Sequence, residues 1–316
     1  MIILKIQTIF NKKLTRISLK KRGSAKLIVT SLAIKDIFKY IIKKEINLEE
    51  FSSNFDNKSK EIIEKVLDRV FYLYIHDKFK RKKLINIEEL DKQKEINNYI
   101  KDLKKTNKLS IDNYDGSIFY YKCGLKYLDR EIIDDLKNKD FIDGGAYIGD
   151  SALMFETFYD PKKIFAFEPE PNNYTHLLKT IKTNNLKKIV PINKGLGEKE
   201  AILHFTSEGI SSHISNEGDL NVNIVSIDNF VFKNNLTVGL IKLDLEGYEL
   251  KALRGAIKTI EKFKPVLLIS IYHNGEEFFE TVKYIKDISS DYKCIIRKLE
   301  PSFYFIETCL IAWSEK

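Results

Sequence analysis

The chain has 316 residues, of which 43% are hydrophobic and 31% are charged, a composition typical of soluble globular proteins. Its three cysteines are an odd number without CxxC spacing, which indicates a reducing compartment and argues against a disulfide framework or a zinc site. No apolar run approaches the roughly 18 residues that cross a bilayer, and no cleavable leader is evident, so we expect a cytoplasmic protein.

Charge is unevenly distributed along the chain. Residues 1–130 hold 30 Lys/Arg against 17 Asp/Glu and residues 131–316 hold 23 against 28, so the net charges are +13 and −5. The first 26 residues carry eight basic side chains and no acid, with apolar residues at helical spacing. This pattern has two interpretations: a helix in peripheral contact with an anionic membrane, or a helix that packs on its own domain with a basic rim.

Apolar residues recur every three or four positions in three segments, which predicts helices at 27–44, 58–82 and 87–105. We assign them to a helical N-terminal region, residues 1–106, followed by a second domain, residues 107–316. The stretch LSIDNYDGSIFYY alternates around Asp115-Gly116 and predicts a β-hairpin, and a short helix is expected near 129–137.

From about residue 139, short apolar segments alternate with helical patterns. The predicted strands lie in FIDGG, IFAFEPE, IVPINKGLG, IKLDLEG and PVLLISIYH. This alternation predicts an α/β fold whose mostly parallel sheet is covered by helices on both faces. Because ligands of such sheets bind at the carboxyl ends of the strands, the loops that follow these strands form the candidate site.

The first of these loops is FIDGGAYIGD, which is rich in glycine and acid. A dinucleotide loop needs G-x-G-x-x-G, but Ala146 occupies the position where the backbone approaches the pyrophosphate. Asp143 and Asp150 add negative charge, which is unfavourable beside a pyrophosphate. S-adenosylmethionine lacks phosphate and carries sulfonium and ammonium groups, so the loop favours this cofactor over a nicotinamide dinucleotide.

The next strand ends in FEPEP, which places Glu168 25 residues after Asp143. An acid at this position accepts hydrogen bonds from both ribose hydroxyls in either class of cofactor, so it indicates a nucleoside. The alternative is that each of the two acids caps the helix that follows it. Their occurrence at successive strand ends favours the cofactor role.

Six segments follow one another between about residues 139 and 313: DGGAYIGDS, FEPEPNNY, INKGLGEKEA, VSIDNF, IKLDLEGYELKALRGA and KPVLLISIYH. In this order they resemble the FkbM-type S-adenosylmethionine-dependent methyltransferases. The resemblance implies a Rossmann-like class I methyltransferase fold, with a seven-stranded sheet whose last strand is antiparallel. It also implies methyl transfer to oxygen, often to a sugar hydroxyl. Residues 1–120 lie outside the resemblance.

The same resemblance implies roles for individual residues. The methionine part of the cofactor would contact Asp143, Gly144, Gly145, Ala146 and Gly149, the ribose would bind Glu168, and Gly195 and Leu196 would line the adenine. For Ser151 two roles are open: capping the helix or contacting the ligand.

Catalytic residues are expected at the ends of the fourth and fifth strands of this block. IKLDLEGYE supplies Asp244 and Glu246, and ISIYHNGEE supplies Tyr272 and His273. Methyl transfer from a sulfonium requires an aligned acceptor oxygen and a base for its proton, and histidine beside an acid suits that role. The alternative for His273 is a hydrogen-bonded structural residue. A second role for Asp244 and Glu246 is to bind a hard divalent cation through their oxygens, but two acids are too few to predict a metal site.

The sequence thus predicts an O-methyltransferase that modifies a saccharide, as a sugar nucleotide or a surface glycan, in a bacterium. The helical N-terminal region is expected to shape access of this acceptor. A nucleic-acid methyltransferase is the first alternative, because the basic N-terminal part suits phosphates, but no RNA-binding motif supports it and we expect no nucleic-acid partner. A catalytically inert binding module is the second. The oligomeric state cannot be predicted from the sequence.

Overall fold

The computed structural model describes residues 25–76, 87–107, 110, 114–206, 213–214, 220–301 and 306–315. Before the first strand lie six helices of this described part: α1 (Ala25–Lys44), α2 (Leu48–Ser53), α3 (Asn57–His76), α4 (Ile87–Asn107), α5 (Gly116–Tyr121) and α6 (Arg130–Asp135). A short 3-10 helix, Lys122–Tyr127, links the last two. The predicted amphipathic helix of residues 1–26 lies almost entirely outside the described residues.

Strands and helices then alternate as the sequence predicts, except in residues 189–225, where the described residues form five strands in succession. The strands are β1 (Asp140–Gly144), β2 (Ile164–Phe167), β3 (Ile189–Ile192), β4 (Gly195–Leu196), β5 (Ala201–Thr206), β6 (His213–Ile214), β7 (Leu220–Val225), β8 (Val238–Leu243), β9 (Val266–Ser270), β10 (Tyr292–Lys298) and β11 (Thr308–Ser314). The helices between them are α7 (Asp150–Phe158), α8 (Pro171–Thr183), α9 (Ile227–Lys233), α10 (Glu249–Arg254), α11 (Ile257–Phe263) and α12 (Gly275–Ile288).

The main sheet has seven strands in the order β10-β11-β9-β8-β1-β2-β3. β11 pairs antiparallel with both β9 and β10, whereas the pairs from β9 to β3 are parallel. This topology confirms the predicted Rossmann-like sheet with an antiparallel last strand. β4, β7, β5 and β6 form a second, smaller sheet.

Helices cover both faces of the main sheet. Successive residues of one strand point to opposite faces, and Phe141 and Ile142 of β1 accordingly belong to two different hydrophobic clusters. Side chains of α1, α3, α10, α11 and α12 share the cluster of Ile142, whereas those of α4, α5 and α7 share the cluster of Phe141. The carboxyl ends of the parallel strands therefore remain the part of the sheet that loops can shape into a site.

The N-terminal helices pack directly on the sheet domain. Ile37 of α1 is fully buried in the same cluster as Phe278 of α12. Asp36 Oδ2 accepts a hydrogen bond from the Gly275 N–H at 2.9 Å, and the Tyr40 hydroxyl donates to Glu280 at 2.8 Å. The predicted domain boundary near residue 107 stays a prediction, because these helices and the sheet share one core.

One predicted element is wrong. The expected β-hairpin around Asp115-Gly116 is replaced by α5, which begins at Gly116. Asp115 has extended backbone angles and its Oδ1 accepts the Ser117 N–H at 2.8 Å, so the Asp-Gly pair starts a helix instead of turning a hairpin. Burial of the following aromatic residues, Phe119 among them, stabilises the helical alternative.

The three cysteines are free. Trp313 lies in β11, half-buried. In the described residues we find no helix with both the length and the apolar character needed to cross a membrane.

Candidate active site

Asp143 lies at the carboxyl end of β1 and is completely buried. Ser151 Oγ donates a hydrogen bond to its Oδ2 at 2.6 Å, and Lys242 Nζ lies 3.2 Å from its Oδ1. The same lysine donates to the carbonyl oxygen of Gly145 at 2.7 Å. A buried carboxylate needs such partners to offset the water that it loses, so the first loop is built around an Asp143–Lys242 ion pair.

Burial lowers the pKa of Lys242, but the negative charges of Asp143 and Asp244 outweigh burial and leave the pKa above its usual range. The lysine therefore stays charged. The sequence analysis missed this residue. Its signal was a lysine inside the otherwise apolar strand VGLIKL, two residues before Asp244 and thus on the same face of the strand.

Gly145 brings the first loop against the end of β8. Its φ of +73° is a conformation that side chains disfavour, and a Cβ atom there would lie 1.8 Å from the carbonyl oxygen of Asp244. The Asp244 N–H donates to the Gly144 carbonyl at 3.1 Å. The backbone of the predicted cofactor loop thus contacts the backbone of a predicted catalytic residue, and only glycine permits that approach.

Glu168 lies at the end of β2, and its carboxylate accepts the N–H groups of Tyr147 at 2.8 Å and Glu170 at 3.0 Å. Burial raises its pKa to about 7, although both hydrogen bonds lower it. Glu170, not Glu168, caps α8 by accepting the Asn173 N–H at 2.7 Å. The structure therefore does not show the capping alternative for Glu168, whose carboxylate instead joins the first loop to the second.

The short strand β4 lies beside these loops. Leu196 is 2% exposed, and a Cβ atom on Gly144 would come within 2.9 Å of its Cδ1. Gly195 faces Pro169, whose Cβ is 3.8 Å from the position of a Cβ atom on this glycine. The residues predicted to line the adenine thus adjoin both the first loop and the segment after Glu168.

Of the two predicted roles of Ser151, helix capping is not the one that the structure shows. Gly149 is the N-cap residue of α7, with a φ of +87°, and the Ser151 hydroxyl donates to Asp143 instead. Ala146 is fully buried, and its N–H donates to the Phe167 carbonyl at 2.9 Å. Ser151 therefore acts as a partner of the central carboxylate of the loop.

The ends of β8 and β9 bring Asp244, Glu246 and His273 together. His273 Nε2 lies 3.7 Å from Asp244 Oδ1 and 3.7 Å from Glu246 Oε2. The Tyr272 hydroxyl donates to Asp244 Oδ1 at 3.4 Å and to Glu307 Oε1 at 3.2 Å. This arrangement places an imidazole and several carboxylates at the carboxyl edge of the sheet, next to the first loop.

Two further carboxylates lie near the other ring nitrogen of His273, Nδ1. Glu249 Oε1 lies 2.9 Å from His273 Nδ1, and Glu277 Oε2 lies 3.9 Å from the same nitrogen. The Glu249 carboxylate also accepts the N–H groups of Leu245 at 2.6 Å and Gly247 at 3.0 Å, which fixes the turn that carries Glu246. The sequence analysis did not identify these two glutamates, because both lie at helix starts, where acids commonly act as caps.

The carboxylates set the charge of His273. Burial lowers the pKa of the imidazole, but Glu249, Glu246 and Asp244 outweigh burial and hold it well above the usual value of 6.5. These carboxylates stabilise positive charge at the ring, so the imidazolium must lose a proton before His273 can act as a base. The predicted base role of His273 therefore stays a prediction, and Asp244 and Glu246 are acids beside it that can also accept a proton.

Comparison with known proteins places this site in a family. Residues 143–300, half of the chain, match the family described as the methyltransferase FkbM domain. Hexuronic acid methyltransferase AglP of Haloferax volcanii is 25% identical over 149 residues, which span 44% of this chain and 59% of the relative. The chain thus covers less than two thirds of the length of this curated relative.

The fold is shared with a solved structure. The methyltransferase FkbM of Methylobacillus flagellatus KT superposes with a TM-score of 0.59 at 20% identity, over 88% of this chain and 61% of that chain. TYW2 of M. jannaschii, solved in complex with AdoMet, has a TM-score of 0.32 at 18% identity, over 64% of this chain and 75% of that chain.

Proposed function

The chain belongs to the FkbM family of S-adenosylmethionine-dependent methyltransferases, and we propose that it methylates a hydroxyl oxygen of a saccharide. One observation carries the proposal: the Asp244 N–H donates to the Gly144 carbonyl, which fastens the Asp244, Glu246 and His273 cluster to the cofactor loop. A methyl acceptor held by this cluster would lie beside a cofactor held by that loop.

The residues present fit S-adenosylmethionine, which supplies a methyl group activated by a sulfonium leaving group. The bare backbone at Gly144 and Gly145 gives the close approach that the methionine part needs, beside the carboxylate of Asp143. We assign the ribose hydroxyls to Glu168 and the adenine to Gly195 and Leu196.

The acceptor side follows from the balance of the reaction. When the acceptor oxygen bonds to the methyl carbon, the carbon–sulfur electron pair stays on sulfur and the hydroxyl must release its proton. Asp244, Glu246 and His273 form the group that orients this hydroxyl and takes up the proton. Asp244 and Glu246 are each 29% exposed at the side chain, so an acceptor reaches them from solvent.

A saccharide that carries negative charge is the acceptor class that we favour. The relative AglP acts on a hexuronic acid, and residues 1–130 of this chain have 30 Lys/Arg against 17 Asp/Glu. A net positive charge in this part of the chain would attract a uronic acid or a sugar nucleotide. Attraction of nucleic acid is the alternative that the same charge supports.

The test is a methyl-transfer assay on the purified full chain. With S-adenosylmethionine labelled in its methyl group, we expect label in a uronic-acid sugar nucleotide or an acidic glycan, and none in total RNA. The Asp244→Asn variant should bind S-adenosylhomocysteine as well as the unchanged protein but transfer at least about 10²-fold more slowly, since acid–base groups contribute on that scale. Label in RNA and in no saccharide would refute the proposal.

A further inference from the structure

Within the described part of the chain, the buried ring nitrogens of His273 lack the hydrogen bonds that buried polar atoms usually make. Its side chain is 4% exposed, and neither ring nitrogen makes a well-directed hydrogen bond to any of the described residues. Nε2 nevertheless faces two carboxylates, Asp244 and Glu246, at 3.7 Å each. A buried polar atom without a hydrogen bond is costly, so its persistence requires a partner.

The distances match a shared cation. At 3.7 Å, a nitrogen and an oxygen are too far apart for a hydrogen bond. Two ligand atoms that bind one metal ion at about 2.0 to 2.2 Å stand roughly 3 to 4 Å apart for the usual angles between bonds. Asp244, Glu249 and His273 each offer a ligand atom, and these atoms lie within 4.8 Å of one another.

Glu249 stands where a metal site needs its supporting carboxylate. Its Oε1 is 2.9 Å from Nδ1, whereas Asp244 and Glu246 lie nearest to Nε2. Backbone N–H groups of Leu245 and Gly247 hold this carboxylate in place. A carboxylate at one ring nitrogen and a metal at the other is a recurrent arrangement, because the carboxylate fixes the ring and makes the second nitrogen a better ligand.

We propose that the chain binds one divalent cation between Asp244 and Nε2 of His273, with Glu246 on the open side and Glu249 positioning the imidazole. The donor set of one imidazole nitrogen and carboxylate oxygens suits Mn²⁺, Fe²⁺, Co²⁺ or Zn²⁺, whereas Ca²⁺ takes oxygen ligands alone. Asp244 is 29% exposed, so a coordination position is open to solvent and to a ligand.

The role of the cation rests on the proposed function, although its binding does not. An acceptor hydroxyl that binds the open position becomes more acidic, because the cation stabilises the oxygen anion. Its proton then passes to Glu246, the oxygen bonds to the methyl carbon, and the carbon–sulfur electron pair stays on sulfur. The cation would thereby align the saccharide and activate its hydroxyl. Without the cation, that activation would require a neutral His273 as the base.

The test measures Mn²⁺ binding to the full chain without any substrate. Calorimetry of the metal-free protein should show one Mn²⁺ per chain. Electron spin-echo spectroscopy should show coupling of the bound Mn²⁺ to an imidazole nitrogen. Asp244→Asn and His273→Gln should each weaken binding at least tenfold, and His273→Gln should remove the nitrogen coupling. Glu276→Gln, which removes an exposed acid three residues from His273, is the matched control and should bind Mn²⁺ as the unchanged chain does.

Circular dichroism and binding of S-adenosylhomocysteine establish that each variant is folded. If His273→Gln fails to fold, the partly exposed Asp244 still provides the decisive variant. The proposal is overturned if the unchanged chain binds no Mn²⁺ at millimolar concentration, or if Asp244→Asn binds it equally well. Failure of saccharide methylation with intact Mn²⁺ binding would instead refute the proposed function and leave the metal site standing.

Discussion

The carboxyl group of Glu168 is expected to change its charge near neutral pH. It is 5% exposed, and burial raises its pKa to about 7, well above the usual 4.5. In the ribose-binding role that we propose for Glu168, an ionised carboxylate would accept hydrogen bonds from both hydroxyls, whereas the protonated form has lost part of that capacity. The ionised form, which can bind the ribose, therefore predominates above pH 7 and is lost as the pH falls through 7.

We therefore predict that affinity for S-adenosylhomocysteine falls below pH 7, by up to about tenfold per pH unit while the carboxyl takes up its proton. Calorimetry from pH 5.5 to 8.5 measures this. Glu168→Gln should bind weakly throughout and with a flatter pH profile. A variant profile as steep as that of the unchanged chain would assign the pH dependence to another group, such as Asp150, whose pKa burial raises to about 6.

Lys242 is the second residue with a predictable effect. It is 12% exposed at the side chain, and its partner Asp143 is fully buried. Lys242→Met keeps most of the apolar stem but leaves Asp143 without its cation, a change that typically costs about 3 to 5 kcal/mol. Urea denaturation should show this loss of stability, together with weaker binding of S-adenosylhomocysteine.

Lys283→Met is the matched control, because its partner Asp287 lies on an exposed helix face and the two side chains are 71% and 59% exposed. This variant should unfold at nearly the same urea concentration as the unchanged chain. Equal effects of the two substitutions would mean that burial of the Asp143–Lys242 pair has no energetic weight.

Candidate site residues at strand ends were easier to predict from the sequence than the residues that orient those side chains. Asp143, Glu168, Asp244 and His273 were predicted as site residues because each ends an apolar segment, where parallel sheets bind their ligands. Glu277 shows why others were missed. Asn274-x-x-Glu277 is a capping-box sequence, and Asn274 does accept the Glu277 N–H at 2.9 Å. The Glu277 carboxylate, however, accepts the Glu249 N–H from another helix, a long-range contact without any local signal.

At the scale of elements, α3 covers an edge of the main sheet. β10 is an edge strand, and the Ile296 N–H donates to Ser59 Oγ, near the start of α3, at 2.8 Å. The Ser59 hydroxyl donates its one proton to Asp56 and lies 3.2 Å from the Ile296 carbonyl. Arg297 Nη2 adds a contact of 2.7 Å to Asp56. Covering an edge in this way protects unpaired backbone groups from pairing with another chain.

Ser59→Ala should therefore lower the free energy of unfolding by about 1 to 3 kcal/mol, since it leaves the buried N–H of Ile296 without its partner, whereas the Ile296 carbonyl keeps the Arg297 Nη1 donor at 2.9 Å. Thermal or urea unfolding measures the change, and the protection of the Ile296 amide against hydrogen exchange should fall with it. Ser53→Ala, on an exposed face of α2, is the control. An unchanged exchange rate at Ile296 would show that the strand does not depend on Ser59.

The accuracy of the element predictions depended on the kind of signal. Parallel strands and their helices were predicted because each strand is a short, nearly continuous apolar run. The hairpin at Asp115-Gly116 was wrong because the Asp-Gly pair serves both turns and helix starts, and the choice depends on burial of Phe119 and its neighbours by distant elements. The docking of α3 on β10 was not predicted, because Ser59 and Asp56 meet Ile296 and Arg297 across more than 230 residues of sequence and no local pattern marks such contacts.

For the whole molecule, the central question is whether the N-terminal helices and the methyltransferase sheet unfold together. Ile37 of α1 has no exposed surface and lies in one cluster with Ile241 and Leu267 of the central strands. Asp36 of the same helix binds the backbone of Gly275, two residues after His273. Both contacts predict one cooperative unit, in which the N-terminal helices also hold the turn that carries the candidate catalytic histidine.

Ile37→Ala tests this coupling, because truncating a fully buried isoleucine costs about 2 to 5 kcal/mol. Trp313, the single tryptophan, lies in β11 of the sheet, so its fluorescence reports on the sheet, whereas far-ultraviolet circular dichroism reports on all helices. If the chain is one unit, both signals shift to the same lower denaturant concentration. Ile202→Ala, at a position that is 69% exposed, should shift neither. A shift in circular dichroism with an unchanged Trp313 transition would show instead that residues 1–106 fold as a separate domain, which is the organisation that the charge distribution and the helical periods of the sequence predict.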